Sequence, residues 1–269
     1  MSIAFTLAAT DGVVVVADGR TTSVPTEKDP DSAAKTDVAV KVTLAPYCLP
    51  FAITYTGRSS IGGTPLSDLV DRFLNSFAKT DLVGLPLGDI IVRLRAHLES
   101  LATQFPPMYE DKTSAPVHML VAGYRPGSEE LEVWKSVGPE PAQVSRYFDD
   151  LVFCGPRDDR SDGEPAEDRV LVLFDDENRI RQHHIDEYRV DGDYYLLRGK
   201  AMAEVVESAV ANLRADVEED PDTYTDDGIG GVWRLASVSP TGAKNLECFH
   251  IGPMMAGDTG VAGASHVAS

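Results

Sequence analysis

Apolar positions along this chain fall into short β-branched runs at both ends and helix-spaced stripes between them. Residues 3–9 (IAFTLAA) and 13–18 (VVVVAD) flank Asp11-Gly12, which predicts two strands joined by a two-residue type I′ turn centred on that pair. The valine run has no polar alternate, the pattern of a strand buried on both faces. A polar segment at 21–37, with Pro25 and Pro30, predicts an exposed loop; residues 38–44 (VAVKVTL) and 50–56 (PFAITYT) predict a second strand pair. The period then changes. After Gly62-Gly63, with Ser67 or Asp68 as cap, Leu69, Val70, Phe73, Leu74 and Phe77 form one helical face. A second helix runs from Pro86 to about Phe105 on a stripe of Ile90, Ile91, Leu94, Leu98 and Leu101, and Pro106-Pro107 stops it. Strands return at 117–123, 130–136 and 151–154, with an extra one at 169–174 after an acidic surface insertion at 156–168. A third helix spans about 195–217, with Met202, Val205, Val206, Ala209, Val210 and Leu213 on one side. An acidic loop, 218–227, leads through Gly228-Ile229-Gly230-Gly231 to a last pair at 232–238 and 246–251, and the Gly/Ala/Ser-rich residues 254–269 read as a flexible tail.

Single-stripe helices suit the outer faces of stacked antiparallel sheets. The order of elements therefore predicts an α+β protein, a four-layer αββα sandwich, formed by one domain over residues 2–253.

The 269 residues are ample for one buried core, and 43 Asp and Glu against 24 Lys and Arg give a net charge of −19. That balance argues against a nucleic-acid partner, since no basic stripe is present to neutralise phosphates. No apolar run approaches the roughly 20 residues of a membrane span, and no basic segment precedes an apolar one at the N-terminus. The expectation is a cytoplasmic protein with no membrane partner. Cys48, Cys154 and Cys248 are widely separated and form no CxxC pair, so they are expected to be buried, inert thiols. His183-His184 and Cys248 with His250 lack ligand spacing with a second half elsewhere, and no metal or cofactor is expected.

Ser2 is the first candidate for chemistry. A small residue after the initiator allows Met1 to be removed, leaving a serine with both a hydroxyl and a free α-amine. The amine has a reference pKa near 7.7–8.0, so nucleophile and base then sit on one residue. Most serines at this position do nothing, and the neighbouring sequence decides.

The turn Thr10-Asp11-Gly12, the run from Val13 to Asp18, and the following Gly19-Arg20-Thr21-Thr22 resemble the opening of the proteasome β-subunit and of the bacterial peptidase HslV, N-terminal-nucleophile (Ntn) hydrolases. Lys41 matches the family lysine, Ile53 to Gly57 matches the stretch that supplies the oxyanion amide, and Asp226 to Gly231 resembles the late Asp…Gly-Gly motif. Setting Asp18 on the family's acidic position puts Ser2 on the nucleophile position. The resemblance implies Ser2 as nucleophile with its own amine as base, and Lys41 as the cation that lowers the nucleophile's pKa. It further implies Thr54 as oxyanion donor through its main-chain N–H, Thr22 as a substrate-backbone partner and Asp226 as support for the amine. A turn centred on Asp11-Gly12 sets Asp18 opposite Phe5, on the order of 10 Å along the strand from Ser2. Asp18 is then too distant to be the direct base, and its expected role is to fix and charge-balance Lys41. Each residue also has a plainer reading: Lys41 as an outward strand lysine, Asp226 as part of a solvated acidic loop, Thr22 and Thr54 as ordinary strand threonines. The chain departs from the family in having Ser2 for threonine, Thr54 at the glycine position, and Pro156 and Ile229 where two serines stand.

The expected activity is amide hydrolysis through an acyl-enzyme, with Met removal as the only maturation. A peptide or unfolded-protein substrate, a homo-oligomer of rings or stacked rings, and an ATPase unfoldase partner are implied by the resemblance alone. A non-catalytic proteasome-like subunit and a small-molecule amidase on the same fold are the alternatives.

Overall fold

A computed structural model describes residues 4–22, 35–36, 38–104, 117–137, 143–147, 151–154, 171–174, 180–183, 201–207, 210 and 230–251. In chain order the strands are β1 (Ala4–Ala9), β2 (Gly12–Ala17), β3 (Thr21–Thr22), β4 (Lys35–Thr36), β5 (Val42–Leu44), β6 (Phe51–Gly57), β7 (Ser60–Ile61), β8 (Thr64–Pro65), β9 (Val117–Tyr124), β10 (Leu131–Val137), β11 (Gln143–Tyr147), β12 (Leu151–Cys154), β13 (Leu171–Phe174), β14 (Ile180–His183), β15 (Gly231–Ser239) and β16 (Gly242–Ile251). The helices are α1 (Leu66–Asn75), α2 (Lys79–Gly84) and α3 (Leu87–Gln104). Among the described residues two five-stranded antiparallel sheets form, ordered β12-β1-β2-β15-β16 and β11-β10-β9-β6-β5. The remaining strands make two-stranded pairs. The class is α+β.

The sheets face each other. Ala4, Val13, Val15, Ala17, Ala236 and Val238 of the first meet Val42, Ala52, Leu120, Ala122, Tyr124 and Val133 of the second in one buried cluster. Alternation sends the other residues of each strand to the opposite face. On the second sheet these are Phe51, Ile53, Tyr55, Met119 and Val121, which pack beneath Leu66, Val70, Phe73 and Leu74 of α1 and Ile90, Ile91, Leu94 and Leu98 of α3. Burying each large side chain contributes about 1.5–3 kcal/mol, which is why the helical stripes settle there. On the first sheet Phe5, Leu7, Val14, Val16 and Leu235 are buried on the outer face. Residues 202–207 are helical, Val205 is buried, and the Met202 N–H donates to Asp11 Oδ1 at 2.7 Å. A helical segment therefore meets the first sheet at its β1–β2 turn.

Several expectations need correction. The β1–β2 turn is Thr10-Asp11, not Asp11-Gly12, because Gly12 already pairs with Ala9. Neither turn residue has positive φ, so the turn is not type I′. Gly12 is there for close approach: a Cβ would stand 2.4 Å from the Val238 carbonyl oxygen. The shifted register pairs Ala4 with Ala17, which brings Asp18 nearer the start of β1 than expected. Pro65 occupies the cap position of α1, and Ser67 and Asp68 lie in its first turn. The first helical N–H, that of Leu66, donates to the Ser59 carbonyl, and no side chain caps the helix. α2 and β11 are too short to show a period in the sequence. Cys48 and Cys248 are exposed rather than buried. Cys48 sits in a turn where it and Tyr47 both have positive φ, and Cys248 is on the edge strand β16. The insertion at 156–168, the acidic loop 218–227 and the tail 254–269 lie outside the described residues.

Candidate active site

Asp18 follows the end of β2 and Lys41 precedes the start of β5, so the seam between the sheets brings them together. Lys41 Nζ donates to Asp18 Oδ1 at 2.7 Å and to the Arg20 carbonyl at 2.6 Å. The two side chains are only 5% and 0% exposed. Burial lowers the Lys41 pKa from its ordinary 10.5, and the nearby Arg20 and Arg234 charges act in the same direction. The attraction of Asp18 opposes this and does not outweigh it. The result is a buried ammonium poised closer to neutrality than a surface lysine.

The backbone that carries Lys41 is pinned from both sheets. Thr54 Oγ1 donates to the Lys41 carbonyl at 2.8 Å, and the Tyr55 N–H donates to the same oxygen at 3.2 Å. The Tyr55 hydroxyl, whose pKa is raised by burial so that it keeps its proton, donates to the Val40 carbonyl. From the first sheet, Arg234 donates through Nη1 to the Ala39 carbonyl at 2.7 Å and through Nη2 to the Val38 carbonyl at 3.2 Å. The Ala39 N–H donates to the Gly19 carbonyl at 2.9 Å. The Gly-Gly pair closes the other side: the Gly19 N–H donates to the Gly230 carbonyl at 3.0 Å, and the Gly230 N–H faces Asp18 Oδ2 at 3.4 Å. Gly230 and Gly231 have φ of 132° and 75°, conformations that favour glycine.

Thr21, Ala39, Val40, Lys41, Tyr55, Thr56, Gly57, Arg58 and Ser59 line a recess of about 20 Å³ beside this pair. That is room for about one water.

The structure thus brings Asp18, Lys41, Thr54 and the late glycine pair together. Thr54 enters differently from its expected role. In an antiparallel strand successive N–H groups point to opposite sides. The Tyr55 N–H points to the β5 side, so the Thr54 N–H points into the ladder with β9, where Thr54 pairs with Leu120. It is the Thr54 hydroxyl, not its amide, that serves this site. By the same alternation the Gly57 N–H lies on the β5 side, beyond the end of β5, where the recess opens. Thr22 is in β3, paired with Lys35. Ser2 and Asp226 lie outside the described residues; Ala4, the first described residue, pairs with Ala17 next to Asp18. Gly57 closes the stretch matched to the oxyanion amide but carries no role of its own there, and no motif marks Arg58 or Arg234. Gly57 carried a signal, a glycine closing a Thr-Tyr-Thr run, while Arg234 carried none because its partners are distant in sequence. Among the described residues no three His, Cys, Asp or Glu side chains gather as a metal would require.

Solved structures with this fold include Anbu proteins. The chain is similar to a Gly-1 mutant of Anbu from Hyphomicrobium sp. strain MC1, with TM-score 0.53 and 13% identity over 94% of this chain and 87% of that one. It is similar to the Anbu complex of Pseudomonas aeruginosa, solved as a helical assembly, with TM-score 0.56 and 10% identity over 91% and 86% of the two chains. Anbu from Yersinia bercovieri, described as an ancestral beta-subunit, gives TM-score 0.53 and 10% identity over 90% and 86%. No protein-family model and no curated protein matches the chain. The resemblance to HslV and to the proteasome β-subunit hydrolases is corrected accordingly: the structural neighbours named here are Anbu proteins, and no family model or curated protein supports HslV. At these identities the likeness is one of fold alone. Among the described residues no helix is long and apolar enough to cross a membrane.

Proposed function

We propose that this chain is a proteasome-like subunit of Anbu-type build, with the helix around residues 202–207 completing an αββα sandwich, and that it hydrolyses amide bonds from a mature N-terminal Ser2. The observation that carries the reading is the buried Asp18–Lys41 pair, with a recess beside Lys41 and with Ala17, next to Asp18, paired to Ala4 of β1. Ser2 precedes Ala4 by two residues, a reach of about 7 Å at 3.3–3.6 Å per residue. In this reaction Ser2 Oγ attacks the substrate carbonyl and passes its proton to the Ser2 α-amine, directly or through a water in the recess. The ammonium of Lys41 lowers the nucleophile's pKa, and Asp18 holds that ammonium in place. The Gly57 N–H supports the developing oxyanion, the role first expected of Thr54. Collapse of the tetrahedral intermediate releases the amine, which takes the proton, and leaves an ester on Ser2 that water cleaves. Asp226 supports the α-amine, and Thr22 pairs with the backbone of a peptide substrate. The subunit assembles with copies of itself, as the helical Anbu assembly does.

A non-catalytic subunit is the competing reading, and it is favoured by Pro156 and Ile229 standing where the resemblance places serines. Intact mass before and after a β-lactone or epoxyketone probe separates the two. Loss of Met1 and one adduct mapped to Ser2 is the expected result. Retained Met1, or a Ser2 that never labels, removes the hydrolase and leaves the scaffold.

A further inference from the structure

The helical side of the second sheet differs from the rest of the chain in charge and in exposed apolar surface. Residues 38–104, about a quarter of the sequence, hold six Lys and Arg against five Asp and Glu, a net charge of +1. The remaining residues hold 18 against 38 and carry −20. The large hydrophobic side chains exposed among the described residues, Val40, Tyr47, Val83 and Val92, all fall in that same stretch. Val40 borders the recess. The other three belong to the helical layer and its edge: Val92 is on α3, Val83 on α2 and Tyr47 on the turn Pro46–Cys48, whose flanking Ala45 and Leu49 are buried in the core beneath α1. That turn holds Tyr47 outward. Tyr47 and Cys48 have φ of 62° and 55°, a strained conformation for residues with a Cβ. Neighbours keep it in place. The Leu49 N–H donates to the Pro46 carbonyl at 3.2 Å, and the Tyr47 hydroxyl donates to the Phe77 carbonyl at 3.2 Å. Gly242 lies so close that a Cβ there would stand 3.1 Å from the Cys48 carbonyl oxygen. Tyr47 is still 46% exposed. A tyrosine fixed on a surface in this way offers a large contact area at little entropic cost once a partner covers it.

We propose that this face, anchored by Tyr47 and including Val83 and Val92, is where two copies of the chain meet, each offering the same surface to the other. The charge decides the occupant. A contact through the rest of the chain brings −20 against −20, whereas residues 66–104 expose four Asp and three Lys or Arg and meet a second copy close to neutrality. The 18 residues of α3 make a helix about 27 Å long, and α1 packs beside it, so the layer is extensive enough to hold such a contact. A contact of like with like closes at two copies, and any larger assembly adds a second contact to it. The inference rests on the self-assembling subunit proposed above and on nothing in the Asp18–Lys41 site.

The test uses the full chain over a range of concentrations, with its own thiols as the map. Cys48 is exposed beside Tyr47, and Cys248 is exposed on β16 of the other sheet, about 20 Å along the strand from Gly242. Maleimide labelling of each is followed by peptide mass while sedimentation velocity reports the fraction of dimer. As the dimer forms, labelling of Cys48 should slow about tenfold and that of Cys248 should keep its monomer rate. Tyr47→Gly removes the anchor and relieves the strain, since glycine accepts positive φ. Its urea midpoint as a monomer should hold or rise, while the dimer dissociation constant rises about tenfold. Val92→Lys brings the net charge to −18 and should also weaken the dimer, whereas repulsion between whole molecules acting alone predicts a stronger one. A dimer in which Cys48 labels at the monomer rate, or Cys248 is protected equally, overturns the face and leaves self-assembly standing. So does a Tyr47→Gly or Val92→Lys chain that associates as tightly as the unaltered one. A chain that stays single at every concentration overturns both the face and self-assembly. If either variant fails to fold, the labelling of the unaltered protein still decides.

Discussion

Lys41 holds its charge where burial works against it. Its ammonium is compensated by one carboxylate, Asp18, and by the Arg20 carbonyl, while Arg20 and Arg234 add like charge. Replacing it by alanine leaves Asp18 buried opposite a void, and breaking a buried pair in this way costs about 3–5 kcal/mol. Lys41→Met keeps the stem and removes the charge, and is the better probe. Amide hydrolysis should fall on the order of 10²–10⁴-fold in Lys41→Met, the scale of a lost proton-transfer group. The pH dependence has a definite sign. The folded pKa of Lys41 lies below 10.5, so between the two values the unfolded chain binds more protons than the folded one. Stability contributed by Lys41 therefore rises with pH through that window. Urea midpoints of wild type and Lys41→Met, taken from neutral to alkaline pH, should diverge in favour of wild type as pH increases. A constant difference would mean that the Lys41 pKa is not lowered. Activity should show the same group from the other side, rising as the α-amine loses its proton and falling once Lys41 loses its own.

At the scale of elements, the site depends on a segment that belongs to neither sheet. Residues 38–41 precede β5 and are held by donors from both layers: Arg234 of β15 on one side, Thr54 and Tyr55 of β6 on the other. Arg234 is a positioning residue, acting on Lys41 through the backbone it grips. Its two-pronged contact needs a planar fork, so lysine is no substitute. Arg234→Lys and Arg234→Leu should each cost about 1–3 kcal/mol of stability and speed amide exchange at Lys41 and Val42. They should lower kcat more than they raise KM. An unchanged exchange rate with lowered kcat would show that Arg234 acts through its charge and not through the backbone. This element also marks where the sequence is readable and where it is not. The stripes of α1 and α3 and the alternation of β6 and β9 declare themselves because each period reflects burial on one face. Gly12 misled because glycine has two uses, a turn with positive φ and a close approach, and residue type does not say which applies. Thr54 was assigned the wrong group because β6 runs on to Gly57, and the strand's end decides which N–H faces the recess. The Asp18–Lys41 pair is legible through the spacing of the motifs that carry the resemblance, whereas the grip of Arg234 on residues 38 and 39 joins positions almost two hundred residues apart.

For the molecule as a whole, the two cores and the charge pull on different properties. The cores between the sheets and beneath α1 and α3 set the fold; the net charge of −19 governs how copies meet. Two such copies repel at any distance within a Debye length, about 8 Å at physiological ionic strength and longer in dilute buffer. If the subunit assembles through contacts between apolar or neutral surfaces, salt removes the repulsion and leaves the attraction. The weight-average mass in sedimentation velocity should then rise with salt at neutral pH, and rise again on mild acidification as carboxylates gain protons. An assembly held by ion pairs between copies would show the opposite trend, since screening weakens those pairs first. A mass that falls with salt would therefore shift the interface to charged surfaces, and a mass that stays at one chain under every condition would remove self-assembly from the proposed function.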